Sequence, residues 1–321
     1  MRNIQRMGEN MPIKVQSDLP ARATLENENI FVITEKRASS QDIRPLKIAI
    51  VNLMPTKEAT ETQLLRLLGN TPLQIEISLV RMEAHESTHV SAEHLERFYI
   101  PSSEIFNNKY DGMIITGAPV EQMPFEQVDY WSELCDIMDY AKENVFSTLY
   151  ICWGAQAGLY HNYKIQKTPL PGKLFGILPN KRTAEADPLM RGFDDIFPVP
   201  TSRHTTVNRT LIESEKNLII LAENSEGEVT LSKSLDNRSI FMMGHLEYDT
   251  ETLDNEFRRD KSKGLPINPP QNYYPHDNPA LAPVNSWRST AHLFYSNWLN
   301  YYVYQETPYN FFDNGYFDAG L

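Results

Sequence analysis

Val145-Phe-Ser-Thr-Leu-Tyr-Ile-Cys152, followed at once by Trp153-Gly-Ala-Gln-Ala-Gly158, decides how this chain folds. The first eight residues are an apolar run interrupted only by Ser147 and Thr148, and the run ends in a cysteine. Small or helix-compatible residues come next. That order predicts a buried parallel strand, a tight turn and a helix. A nucleophile at such a turn is lifted out of the sheet and faces the positive end of the following helix, which favours an anion there. Small residues after it let the backbone bend without clashing. A strand-end cysteine taken alone is more often a packed small hydrophobe, so its partners elsewhere in the chain decide.

The same alternation extends outward. Leu46–Leu53 predicts a near-continuous apolar strand, closed by Met54-Pro55, with a helix from about Glu58 to Leu68. Leu73–Val80 and Gly112–Ile115 predict two more strands, and Gln127–Glu143 a helix leading to the cysteine strand. Strands alternating with helices argue for an α/β fold, a mostly parallel sheet with helices on both faces. Lys164–Asp187 is rich in proline and reads as loop. Asn217–Ala222, Glu228–Leu231 and Arg238–Met243 predict three short strands, followed by helices over Thr250–Lys263 and Ser286–Tyr304. The organisation expected is an irregular segment over 1–45, a single domain over 46–305 and a tail over 306–321.

Composition bounds the function. The 321 residues are 41% hydrophobic and 22% charged, with a net charge of −12. No run approaches the roughly 20 apolar residues that span a bilayer, no secretory pattern opens the chain, and Cys135 and Cys152 are the only cysteines. A reducing cytoplasm is the expected setting, with no membrane partner. Without a basic cluster, nucleic-acid binding is disfavoured.

Three elements carry chemistry. Cys152 is the first. His245-Leu-Glu247 is the second, placed directly after an apolar strand and Gly244; a thiol nucleophile needs a base, and the base an orienting acceptor. Thr116-Gly-Ala-Pro119 is the third, a tight turn whose backbone N–H groups suit an oxyanion hole. All three follow predicted strands, and open α/β sheets bind ligands at the carboxyl ends of their strands. His85 and His89 stand four apart with no third ligand at metal-site spacing, so no metal is expected. They read as structural or surface residues, like His94, His161, His204, His276 and His292, and Cys135 as packing.

Ile151-Cys-Trp-Gly-Ala-Gln156 resembles the Cys-x-Gly-x-Gln nucleophile turn of class I glutamine amidotransferases, and Gly244-His-Leu-Glu247 their His-x-Glu. The wider chain, from about Met11 to Tyr309, resembles one branch of that class, the amidotransferase-like homoserine O-acyltransferases. Arg44-Pro-Leu-Lys47, Asn52-Leu-Met-Pro55, Ala92-Glu-His-Leu95, Arg191-Gly-Phe-Asp-Asp195, Asn272-Tyr-Tyr-Pro275, Ser286-Trp-Arg-Ser289 and Asn297-Trp-Leu-Asn-Tyr-Tyr302 carry it. The resemblance implies a flavodoxin-like core with insertions, a homodimer, no bound cofactor, acetyl-CoA as co-substrate and L-homoserine as acceptor in methionine biosynthesis. It further implies that Cys152 carries the acyl group, with His245 as base and Glu247 as its orienter. Lys173, Ser202 and Arg259 then belong to substrate binding, and Gly117, Ala118 and Trp153 supply oxyanion amides. Arginine suits the amino acid's carboxylate, because its planar fork binds in two-pronged fashion.

In that family the residue at position 121 separates acyl donors: glycine accompanies succinyl-CoA, glutamate acetyl-CoA. Glu121 fills the space of a succinyl tail and repels its charge, predicting acetyl transfer. The alternatives are homoserine O-succinyltransferase, a glutamine amidohydrolase and a non-catalytic protein that keeps the fold.

Overall fold

Side chains that alternate along one strand point to opposite faces, and the central strands use both. In the strand Leu46–Val51, Ile48 and Ile50 join one apolar cluster while Ala49 and Val51 join the other. The computed structural model describes residues 13–15, 18–28, 32–34, 45–85, 90–183 and 187–307. In chain order its elements are β1 (Ile13–Val15), α1 (Pro20–Asn27), β2 (Val32–Thr34), β3 (Leu46–Val51), α2 (Lys57–Leu68) and β4 (Ile75–Arg81). Then follow α3 (Ala92–Phe98), β5 (Tyr99–Pro101), β6 (Tyr110–Ile115), α4 (Trp131–Asn144), β7 (Val145–Ile151) and α5 (Trp153–Tyr163). The second half holds β8 (Lys167–Arg182), β9 (Ile196–Val207), α6 (Arg209–Ser214), β10 (Leu218–Asn224), β11 (Val229–Ser234), β12 (Ser239–Met242), α7 (Thr252–Ser262) and α8 (Arg288–Asn297).

The strands make one sheet in the order β2-β1-β4-β3-β6-β7-β12-β11-β10-β8-β9, with β5 paired to β4. Pairing is parallel from β2 to β12 and antiparallel beyond it. Leu64, Leu65 and Leu68 of α2 and Phe294 of α8 cover one face, and Leu134 and Ile137 of α4 with Ala155 of α5 the other. Helices on both faces bury the sheet, as the apolar strands require. Among the described residues no helix is long and apolar enough to cross a membrane.

Three expectations need correction. The stretch 1–45 contributes β1, α1 and β2, and β1 adds to the parallel sheet beside β4. The supposed loop Lys164–Asp187 is mostly β8, a 16-residue strand paired antiparallel with β9. Its prolines sit at an edge-proximal ladder with a register break between Pro169 and Leu174, where missing N–H groups are tolerated. The last helix is α8 alone, followed by a π-helical turn, Trp298–Tyr304. Arg44, His89 and the tail from 308 lie outside the described residues.

Candidate active site

β7 delivers Cys152 directly into α5. The cysteine has φ 51° and ψ −113°, a conformation non-glycine residues avoid. Such backbone costs of order 1–3 kcal/mol and persists only when its surroundings over-determine it. They do so here. The Cys152 N–H donates to Met242 O of β12 at 2.7 Å, and Gln156 N–H returns to Cys152 O at 3.1 Å. Gly154 lies against the next turn so closely that an added Cβ would stand 2.6 Å from Thr116 O. Trp153 opens α5, where first-turn amides have no partner within the helix.

β12 ends at Met242, and the turn after it supplies His245. Its N–H is fixed by Pro200 O of β9 at 2.8 Å. His245 Nδ1 stands 2.6 Å from Glu247 Oε1, and Cys152 is the other group acting on the imidazole, which leaves Nε2 toward the thiol. The pair is buried, His245 at 2% and Glu247 at 7% exposure. Burial by itself would lower the imidazole's pKa. The charges of Cys152 and Glu247 outweigh it and raise the value well above the ordinary one. Tyr248 stacks on the imidazole at 4.1 Å between centroids and 9° between planes, fixing the ring.

The Thr116–Pro119 turn closes the third side. The Thr116 hydroxyl accepts from Leu53 N–H at 2.8 Å and donates to Gly117 O at 3.1 Å, which pins the turn's peptide planes. A Cβ on Gly117 would stand 3.3 Å from Cys152 Cβ and 3.4 Å from His245 Cε1. The turn's backbone therefore borders both Cys152 and His245.

The remaining expected site residues divide. Glu121 is half-buried and turned onto β9, its Oε2 accepting from His204 N–H at 2.9 Å. Lys173 and Ser202 meet on one carboxylate: Lys173 Nζ donates to Glu256 Oε1 at 2.6 Å and Ser202 Oγ to Glu256 Oε2 at 2.9 Å. Arg259 is 55% exposed and bonds Asp260 through Nε at 2.7 Å, with Glu256 at 3.7 Å. Glu256 was not expected. It lies on α7 in a string of charged residues, and only its partners from β8 and β9 mark it out. Burial, then the charges of Glu256, Glu247, Cys152 and Glu121, raise the Tyr248 phenol well above its usual range, so one ring senses all four groups.

A family model described as homoserine O-succinyltransferase matches residues 12–309. The chain belongs to that family. Curated relatives named homoserine O-acetyltransferase include one from Desulfovibrio desulfuricans, 59% identical over 94% of this chain and 96% of that one. Another, from Geobacillus sp., is 58% identical over 93% and 99%, and a third, from Petrotoga mobilis, 56% identical over 94% and 97%. Solved glutamine amidotransferases share the fold. One from Thermotoga maritima has a TM-score of 0.51 at 11% identity, covering 80% of this chain and 98% of its own. One from Methylobacillus flagellatus has a TM-score of 0.52 at 11% identity, covering 84% and 97%.

In this member of the homoserine O-succinyltransferase family three other histidines are paired away from Cys152. His85 pairs with Asp129, His161 with Asp139, and buried His94 with Glu61. Among the described residues no three His, Cys, Asp or Glu side chains cluster as metal ligands would. Burial pushes the Cys135 thiol up to about 11, the behaviour of a packed cysteine. A cavity of about 810 Å³ opens behind Glu247, between α2, the Leu246–Glu251 turn and α8. Glu247 lines it, and Cys152, Glu121, Lys173 and Ser202 do not.

Proposed function

We propose that the chain is a homoserine O-acetyltransferase that moves an acetyl group from acetyl-CoA to the hydroxyl of L-homoserine through a thioester on Cys152. His245 Nε2 takes the Cys152 thiol proton, and the thiolate Sγ attacks the thioester carbonyl. The oxyanion that forms faces the amides of the Gly117 turn, Gly117 and Ala118, and of Trp153, and the carbon–sulfur bond to CoA breaks as His245 Nε2 gives its proton to the leaving thiolate. Homoserine then enters. His245 Nε2 takes the hydroxyl proton, the oxygen attacks the acetyl-cysteine, and O-acetylhomoserine leaves as Sγ departs. Two half-reactions through one covalent intermediate make the kinetics ping-pong. Glu247 keeps the base in the tautomer with its Nε2 free to accept.

Lys173, Ser202 and Glu256 form the acceptor side of the pocket. Arg259 binds the homoserine carboxylate after exchanging Asp260 for it, a step its exposure permits. The observation that carries acetyl rather than succinyl is Glu121, held inward by β9 instead of extending to solvent. The names of the relatives support the same donor. Both substrates are small molecules, and a cytoplasmic homodimer is the setting expected; light scattering of the purified protein measures the assembly.

The test mixes purified protein with acetyl-CoA or succinyl-CoA, with and without homoserine. Expected are CoA release, an acetyl adduct on Cys152 by mass spectrometry, and its discharge by homoserine. No adduct with either donor sinks the proposal, and glutamine hydrolysis without acyl-CoA puts an amidohydrolase in its place.

A further inference from the structure

The aromatic residues of Asn272-Tyr-Tyr-Pro275 and Ser286-Trp-Arg-Ser289 lie between α7 and α8 and reach the turn that carries His245 and Glu247. Tyr273 and Trp287 are each 1% exposed, and their rings stack at 6.5 Å and 28°. Trp287 Nε1–H donates at 3.1 Å to the backbone O of Tyr248, the residue whose ring stacks on the imidazole. The Tyr273 hydroxyl bridges the same turn and α7: it donates to Thr250 O and accepts the Asp254 N–H at 3.1 Å. Asp254 stands in the first turn of α7, where an amide has no partner within the helix, and Glu251, just before the helix, makes no side-chain cap. Tyr273 therefore caps the helix that presents Glu256 and Arg259. At its other end the segment is joined to β8: Gln271 N–H donates to Phe175 O at 3.0 Å, and Ile177 N–H donates to Gln271 O at 2.8 Å. Gly176 permits the approach, since a Cβ there would stand 2.4 Å from Gln271 N. Phe175 faces Ser202 across the β8–β9 ladder, and Lys173 lies over its ring at 4.3 Å.

We propose that Tyr273 and Trp287 are positioning residues for the two halves of acyl transfer: Tyr273 sets α7, and with it Glu256 and Arg259, while Trp287 sets the His245 imidazole through Tyr248. The assignment rests on the acetyltransferase function proposed above and deepens it. Base and acceptor helix are then located from one buried aromatic pair, which also reaches β8 beside Lys173 and Ser202. Such a strut matters because a shift of about 1 Å, set off far from the chemistry, can cost about a hundredfold in rate.

The test separates the half-reactions. Tyr273→Phe keeps the stacked ring and removes the hydroxyl. Loss of that hydrogen-bonding group raises the homoserine KM about tenfold, while acetylation of Cys152, followed by CoA release in a single turnover without homoserine, keeps the parent's rate. Trp287→Phe has the opposite signature: acetylation slows about tenfold and the homoserine KM stays. Because the indole acts through the stacked ring, Tyr248→Leu also slows acetylation, and adding Trp287→Phe to it costs nothing further. Thermal melts accompany each variant, and Tyr273→Phe with Tyr248→Leu carries the test if Trp287→Phe does not fold. Losses shared equally by acetylation and homoserine KM, no loss at all, or additive losses in the double variant overturn the strut while leaving acetyl transfer standing. A parent that releases no CoA from acetyl-CoA removes both.

Discussion

Replacing Glu247 by glutamine keeps the side chain's size and removes the anion that holds His245 Nδ1 at 2.6 Å. Both residues are buried, so water cannot take over the contact. A hydrogen bond to a charged group contributes about 1.5–3 kcal/mol, and losing it lowers the imidazole's pKa. Lost in full from the transition state, the same energy is about 10- to 150-fold in rate. Glutamine adds a second fault. Its NH2 can donate to Nδ1, which puts the ring proton on Nε2, where the base must be empty; the total loss in kcat/KM is then about 10²- to 10⁴-fold. Two assays check this: kcat/KM for acyl transfer between pH 5 and 9, and the rate at which iodoacetamide alkylates Cys152. Burial lowers the His245 pKa while Cys152 and Glu247 raise it further, so in the variant the imidazolium loses its proton at lower pH and both profiles move to the acid side. Stability follows the same sign. What the charged His245 contributes is complete below the ordinary histidine value and disappears as pH rises through the raised one, earlier in the variant. A kcat/KM within threefold of the parent's and an unshifted alkylation profile refute the reasoning.

Gly154→Ala sets a methyl against two backbone carbonyls, Thr116 O and Ile115 O, at 2.6 and 2.8 Å. It lowers stability by about 1–3 kcal/mol in thermal melts; an unchanged midpoint contradicts the close approach of α5 and the Thr116 turn. Glu256→Gln frees Lys173 and Ser202 from their shared anion, raising the homoserine KM about tenfold and leaving acetyl-enzyme formation less affected. Equal loss in both half-reactions, followed by stopped flow, argues against a place on the acceptor side. Lys57, buried with its Nζ on Asn52 O, has its pKa pushed down to about 8 by burial, against the pull of Glu61. Between about pH 8 and the ordinary lysine value the unfolded chain binds a proton that the folded one does not. Stability therefore rises with pH there by up to about 3 kcal/mol. Urea titrations of Lys57→Met lack that rise; an identical slope in both proteins counts against it.

What could be read without coordinates follows from which contacts are local. Cys152, His245 and Glu247 announce themselves because they follow directly on two apolar strands, and strands buried on both faces are visible as runs. β8 and β9 escape for the opposite reason. Pro169, Pro171, Gly172 and Pro179 punctuate β8, and its half-exposed register has no continuous apolar side. Only pairing with β9 makes it a strand. Glu256 is hidden in the same way, since Lys173 and Ser202 lie 83 and 54 residues from it along the chain. The Lys57, Glu61, His94 and Tyr99 cluster behind α2 also needs the fold. Its polar residues look solvated until Glu61 is seen accepting from the Tyr99 hydroxyl at 2.6 Å inside the core.

One contact, Cys152 N–H to Met242 O, ties Cys152 and the His245 turn to the same rung of the ladder. β7 and β12 meet in parallel register, Ile151 opposite Met242, and each strand releases its reactive residue just beyond that rung. The spacing of thiol and imidazole is thus a property of sheet register, insensitive to the loops around it. Those loops are free to change what is bound. Position 121 and α7 can be exchanged while Cys152 and His245 keep their distance, whereas β9 holds His245 through Pro200 O. For redesign this divides the chain into a frame to leave alone, β9 included, and two segments to vary.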